Sequence, residues 1–329
     1  MKAYRNLLLL PLLLGLGACH MVVLDPSGHV AMQERDLLIA STLLMLLIIV
    51  PVLVLTAVIA WRYRHSREQQ SDYDPDWEHS LHLELAIWAA PLIIIIALGA
   101  LTWIGTHKLD PYRPLEAKAA SATAPGNKKA LNIDVVSLDW RWLFLYPDYG
   151  IATVNQVAAP VDVPIHFRLT SQTVMNSFYV PALAGQIYTM AGMKTDLHAV
   201  INKVGNYKGF SANISGDGFT DMRFRFLGMT TAEFSKWVKK AKSRGDRLSP
   251  KAYEALTKPI RNAPVHYYAA YAPNLFYKIV HRCVAPGVTC PTYVATARRG
   301  AASGTRTGRL AQTGSHAAAN AAPRVADEN

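Results

Sequence analysis

The chain has 329 residues, 51% of them apolar and only 17% charged, a balance that fits partial membrane embedding better than a wholly soluble protein. Its net charge of +11 is uneven: residues 1–104 carry 6 Lys and Arg against 9 Asp and Glu, and residues 105–329 carry 28 against 14. The three cysteines, Cys19, Cys283 and Cys290, make no CxxC or CxxCH pattern, which leaves a zinc ribbon, a thioredoxin-type redox pair and covalent c-type haem without support.

Residues 1–18 read as a secretory signal. Lys2 and Arg5 precede an apolar run, Leu7 to Gly17, that is too short to span a bilayer. The run ends in Leu16-Gly17-Ala18-Cys19, which resembles the bacterial lipoprotein cleavage box, so Cys19 is the expected lipidation site and mature N-terminus. An ordinary signal peptide with an incidental cysteine is the alternative.

Residues 19–110 hold two expected transmembrane helices, at about 37–61 and 83–104. The first is an uncharged run between Asp36 and Arg62, at least as long as the ~20 residues a crossing requires. The second carries Trp88 and Trp103 near its two ends, where aromatic belts sit. Pro51 and Pro91 should kink the spans without preventing insertion. Arg62, Arg64 and Arg67 open the connecting loop, whereas Cys19 to Asp36 holds only Arg35, so positive-inside places the loop in the cytoplasm. Everything after Gly105 is then expected outside, in the periplasm. A basic surface there could attract nucleic acid, anionic lipid or an acidic partner, and the compartment sets nucleic acid aside.

Residues 111–130, rich in Pro, Ala, Ser, Lys and Gly, read as a linker. From 131 to 230 come short β-type runs, among them Ile133 to Tyr146, Val163 to Leu169 and Met222 to Phe226, punctuated by Gly, Pro, Asn and Asp. They predict an all-β sandwich or barrel. Residues 231–294 turn helical and aromatic-rich: Thr230-Thr231-Ala232-Glu233 fits a capping box, and Ser249-Pro250 opens a second short helix. Residues 295–329, with almost no large apolar side chain, read as a disordered tail.

Two helices, an outer β domain and the run Ser137-Leu138-Asp139-Trp140-Arg141-Trp142-Leu143-Phe144 together resemble subunit II of the haem–copper oxidases. His79-Ser80 leading to Glu84, Trp88 and Pro91, Val174-Met175-Asn176-Ser177-Phe178 and Met190-Ala191-Gly192-Met193 extend the likeness over residues 16–280. The resemblance implies a transmembrane hairpin bearing a periplasmic cupredoxin-like β sandwich, with a helical, aromatic-rich extension like that of the quinol-oxidising branch.

In the cytochrome c-oxidising branch this domain holds binuclear copper through an upstream His and a C-x₃-C-x₃-H-x₂-M run, whose thiolates, imidazoles and thioether suit that metal. Alignment through Gly216 puts Ser211, Ser215, Phe219 and Met222 at the run and Asn176 at the upstream position. Met222 alone offers a copper donor. The resemblance therefore points to the cytochrome bo type: a proton-pumping ubiquinol oxidase reducing oxygen to water. This chain would hold no cofactor, metal or catalytic group, and haems and copper would lie in a partner subunit I. Further small membrane subunits, membrane lipid and ubiquinol reached through the complex are the expected partners, with no nucleic acid and no cytochrome c; the setting is the bacterial inner membrane. A net-positive outer domain is poorly suited to a basic cytochrome c. A cytochrome c oxidase subunit with an atypical copper site and a stand-alone membrane lipoprotein remain the rival readings.

Glu84 at the cytoplasmic mouth of the second span matches the family's proton-uptake glutamate. Taken alone, it reads as an interfacial carboxylate at a helix N-terminus. Trp140, Trp142, Phe144 and Tyr146 alternate along one run, so they are expected to share a face and pack. Cys283 and Cys290 flank Pro286-Gly287, and an oxidising compartment favours a disulfide between them. A metal pair with His281 and free thiols are the alternatives.

Overall fold

The computed structural model describes residues 21–64, 79–115, 129–285 and 287–291. Cys19 and the leader, most of the linker and the tail after residue 294 lie outside the described residues.

Helix α1 spans His29–Arg62 and α2 spans Leu81–Lys108. Both are apolar on every side, with Leu47, Leu53, Ile93 and Ile96 among many side chains left uncovered by the protein, as a helix facing lipid requires. Both outrun the expected spans. At 34 residues α1 is about 51 Å long, against a hydrocarbon core of ~30 Å. Its first turns are used to dock on the outer domain. The amides of Ser27 and Gly28 donate to the Ala182 carbonyl and that of His29 to Val200, while Val30 and Ala31 are buried. A Cβ at Gly28 would overlap the Leu183 backbone, so only glycine allows that approach. Near the same end Gly105 of α2 lies against Leu37 of α1.

The outer domain is a two-sheet sandwich. Its strands are β1 (Leu131–Leu138), β2 (Arg141–Tyr146), β3 (Ile151–Val154), β4 (Gln156–Pro160), β5 (Ile165–Ser171), β6 (Asn176–Val180), β7 (Ala184–Thr189), β8 (Thr195–Ala199), β9 (Gly205–Ser211) and β10 (Arg223–Met229). Beyond it lie α3 (Thr231–Lys242), β11 (Arg247–Leu248), α4 (Pro250–Thr257), β12 (His266–Tyr268), β13 (Ala270–Tyr271) and α5 (Leu275–Val280). One sheet runs β12-β3-β2-β1-β5-β8, the other β4-β10-β9-β6-β7. Pairing is mostly antiparallel, with β1 and β5, and β4 and β10, parallel.

Strand β2 explains the layering, because all six of its residues are buried. Alternation sends Trp142, Phe144 and Tyr146 inward, where Phe167, Phe178, Phe224 and Phe226 meet them. Leu143 and Leu145 point outward with Val136 and Leu138 of β1, and would face water if the sheet were bare. The extension covers them: Tyr253, Tyr268, Leu275 and Ile279 complete a second cluster. Each side chain so buried contributes about 1.5–3 kcal/mol. Helix α3 closes one end of the sandwich with Phe234, Trp237 and Val238. Thr230 caps α3 reciprocally with Glu233, and Ser249 caps α4 with Pro250 at its first position.

The run expected as one strand is a hairpin, turning at Asp139 and Trp140 between the paired Leu138 and Arg141. Trp140 has φ 66°, an uncommon conformation for a bulky residue. It therefore leaves the face shared by Trp142, Phe144 and Tyr146.

Candidate functional site

Of the five positions that the resemblance aligns with copper ligands, Asn176, Ser211 and Met222 come together where β6, β9 and β10 meet. Strand pairing sets Phe178 opposite Ser211, placing Asn176 beside Ser211. Ser211 Oγ donates to Asn176 Oδ1 at 3.2 Å and lies 3.2 Å from the Asn213 carbonyl, while the Ser177 amide donates back to it at 3.4 Å. Asn176 Nδ2 donates to the Val174 carbonyl at 3.3 Å. Both side chains are buried, and their polar atoms are satisfied by each other and by backbone, as burial demands. Met222 is fully buried in the sandwich core, and its carbonyl accepts from the Ser211 amide.

Ser215 and Phe219 lie on the loop between β9 and β10. Trp140 Nε1 donates to the Ser215 carbonyl at 3.2 Å, and the indole lies so close over Gly218 that a Cβ there would overlap it. Gly216 has φ 100°, which favours glycine. Arg261 of the extension lies 5.9 Å over the Trp140 ring and donates Nη2 to the Asp217 carbonyl at 2.7 Å. The loop is thus held from two sides by protein groups. Sequence reasoning assigned Trp140 to packing and missed Arg261, whose role depends on a contact 44 residues distant in the chain.

Hydroxyl and amide oxygens are hard donors, a phenyl ring donates nothing, and the one soft atom is the Met222 thioether. This donor set does not fit binuclear copper. Among the described residues no group of three or more His, Cys, Asp and Glu is gathered as a metal site elsewhere. His166 and His198 stack with ring centroids 4.4 Å apart, and His166 Nε2 lies 2.8 Å from Asp196 Oδ1. Burial pushes the Asp196 carboxyl up, but hydrogen bonds from His166 and Lys194 outweigh it and hold the group below the usual range. Burial, reinforced by His166, pushes His198 down.

Glu84 sits in the first turn of α2 with its side chain 44% exposed, and His79 Nδ1 lies 2.5 Å from its Oε1. Cys283 and Cys290 form a disulfide across a Cα separation of 5.3 Å.

Residues 150–225 match the family described as cytochrome c oxidase subunit II, periplasmic domain, and residues 242–287 match the COX aromatic-rich motif. Cytochrome bo(3) ubiquinol oxidase subunit 2 of Pseudomonas putida is 46% identical over 284 residues, 85% of this chain and 87% of that protein. The same subunit of Pseudomonas aeruginosa is 47% identical over 278 residues, 84% of this chain and 81% of that protein. The chain belongs to the ubiquinol oxidase subunit 2 family. Ubiquinol oxidase subunit 2 of Acetobacter aceti is 46% identical over 265 residues, covering 80% of this chain and 83% of its own length. As a member of the ubiquinol oxidase subunit 2 family, the chain is part of an oxidoreductase complex whose catalytic centre lies outside it. Its two apolar helices and sandwich fit a membrane-anchored subunit of a haem–copper oxidase.

Proposed function

We propose that this chain is the non-redox second subunit of a proton-pumping ubiquinol oxidase, and that electrons from quinol reach the haems and copper of subunit I without crossing its outer domain. The observation that carries this reading is the donor set at the five aligned positions: amide, two hydroxyls, phenyl and one buried thioether. The loop that would carry copper in a cytochrome c oxidase is held here by Trp140 and Arg261. The chain's own work is then assembly, shape and proton access.

Glu84 fits the last of these. A half-exposed carboxylate at the inner mouth of a span can exchange protons with bulk water and pass them to a water chain in the neighbouring subunit, and His79 beside it can hold the carboxylate in place. Cys19 is assigned as the lipid attachment site on its leader context. An acyl chain adds ~0.8 kcal/mol per buried CH₂, a minor anchor beside two spans. The setting is the bacterial inner membrane with the sandwich in the periplasm, beside subunit I and further small membrane subunits.

Donor preference tests the reading. The purified complex should oxidise reduced ubiquinone with oxygen uptake and leave reduced cytochrome c untouched. Preference for reduced cytochrome c would reinstate electron transfer through the outer domain. Purification of the chain alone, without a haem-bearing subunit, would favour a free-standing lipoprotein.

A further inference from the structure

A concave site lies on the outer surface of the second sheet, with a volume of about 450 Å³. Strand register builds it. Arg223 is opposite Phe210 and Arg225 is opposite Lys208, so all four side chains rise on the same face of β9 and β10. Phe219 and Thr220 close one side. No carboxylate lines the cavity, and among the described residues Lys208, Arg223 and Arg225 make no ion pair. Arg223 spends its Nε on the Thr220 carbonyl at 2.9 Å, which leaves both terminal nitrogens to donate.

Two cations directly opposite each other on adjacent strands destabilise a sheet. Arg225 and Lys208 hold that arrangement with no anion between them. A bound anion would remove the repulsion and accept charge-assisted hydrogen bonds, with the arginine fork matching phosphate geometry. Phe210 and Phe219 would meet the carbon next to such a group.

The face also continues toward the first apolar helix. Strand β7 abuts the first turns of α1, where the Gly185 amide donates to the Glu34 carboxylate. Tyr179 of β6, on the same face, meets Phe210 edge to face at 5.4 Å. Strands β9 and β10 are the second and third neighbours of β7, so the cavity lies about 10–14 Å across the sheet from β7. A headgroup beside that helix is therefore one source of anion to test.

We infer that the cavity framed by Lys208, Arg223 and Arg225 binds a phosphate-bearing anion, supplied either by a phospholipid headgroup or by free phosphate.

The test uses the purified complex, delipidated in neutral detergent, and the same complex carrying K208Q/R225Q. Thermal midpoint and native mass spectra are followed during titration with dihexanoyl phosphatidylglycerol, dihexanoyl phosphatidylcholine and inorganic phosphate. The wild type should gain a saturable stabilisation and one more retained phosphate-bearing adduct than the variant, with affinity for it at least tenfold weaker in the variant. Without ligand the variant should melt higher than the wild type, because its cross-strand repulsion is gone. Saturation by phosphatidylglycerol but not inorganic phosphate identifies a headgroup; equal saturation by both identifies free phosphate. Equal binding by wild type and variant, or no gain with either phosphatidylglycerol or inorganic phosphate beyond that with zwitterionic phosphatidylcholine, overturns the proposal. So does loss of the haem-bearing subunit from the variant complex, which would make the face a protein-docking surface.

Discussion

Removing Arg168 should expose the cost of a carboxylate placed between the sandwich and its extension. Asp134 lies on the outer face of β1, 3% exposed, and Arg168 on β5 holds it with Nε to Oδ1 at 2.5 Å and Nη2 to Oδ2 at 2.8 Å. The guanidinium in turn lies 5.6 Å over the Phe276 ring of α5. Breaking a buried pair from one side costs about 3–5 kcal/mol, since the remaining charge is uncompensated. The Arg168 side chain is 34% exposed, so water can reach the orphaned group. That puts Arg168→Ala near the lower end, about 3 kcal/mol. At about 2–4 °C per kcal/mol for a unit of this size, Tm should fall by roughly 6–12 °C in thermal unfolding of the detergent-solubilised chain. The sign with pH follows from Asp134. Burial pushes its carboxyl up, and Arg168 only partly opposes this. A raised carboxyl favours the protonated form in the fold, so its stabilisation is present at acid pH and lost as pH rises through the folded pKa. Loss of Arg168 removes the opposing influence, so the variant's deficit should shrink on acidification. Arg168→Ala with Asp134→Asn should recover part of the loss. A loss below about 1 kcal/mol, or a double variant no better than the single one, would refute the reasoning.

Glu84→Ala should slow oxygen uptake and proton pumping while the complex still assembles, and Glu84→Asp should retain more of both; unchanged rates would remove the proposed proton role. Gly218→Ala should cost about 1–3 kcal/mol by driving a methyl into the Trp140 ring, read as a drop in Tm that Trp140→Ala in the same chain partly relieves. Thr230→Ala removes the α3 capping box and should cost about 1 kcal/mol. Asp196, held low by His166 and Lys194, stabilises the fold above its unfolded pKa and loses that effect as pH falls through the folded value. Asp196→Asn should therefore lower Tm at neutral pH and flatten the acid limb of the stability profile.

Apolar runs and fixed spacings made much of this chain legible in its sequence. The uncharged stretch from Leu37 to Trp61 announces a membrane helix, but its extension back to His29 depends on the Ala182 and Val200 carbonyls, which no local pattern reveals. The Thr230–Glu233 cap was readable because both halves lie within four residues. Strands β3, β4 and β7, four to six residues long, escaped notice: β3 and β7 return as hairpins from β2 and β6, and β4 is paired with the distant β10. Trp140 was misplaced on its strand because the Asp139-Trp140 turn has none of the Gly or Asn that usually marks positive φ. The copper-ligand positions could be read by spacing, whereas the Arg261 clamp and the opposed Lys208 and Arg225 appear only once strands and extension are packed.

With amide, hydroxyl and phenyl groups at the aligned positions, the sandwich should hold no redox metal. The decisive measurement is copper bound to the full chain, purified in detergent and dialysed free of loose copper. No stoichiometric copper and no visible absorption are expected; two copper ions per chain with a purple colour would restore electron transfer through the sandwich.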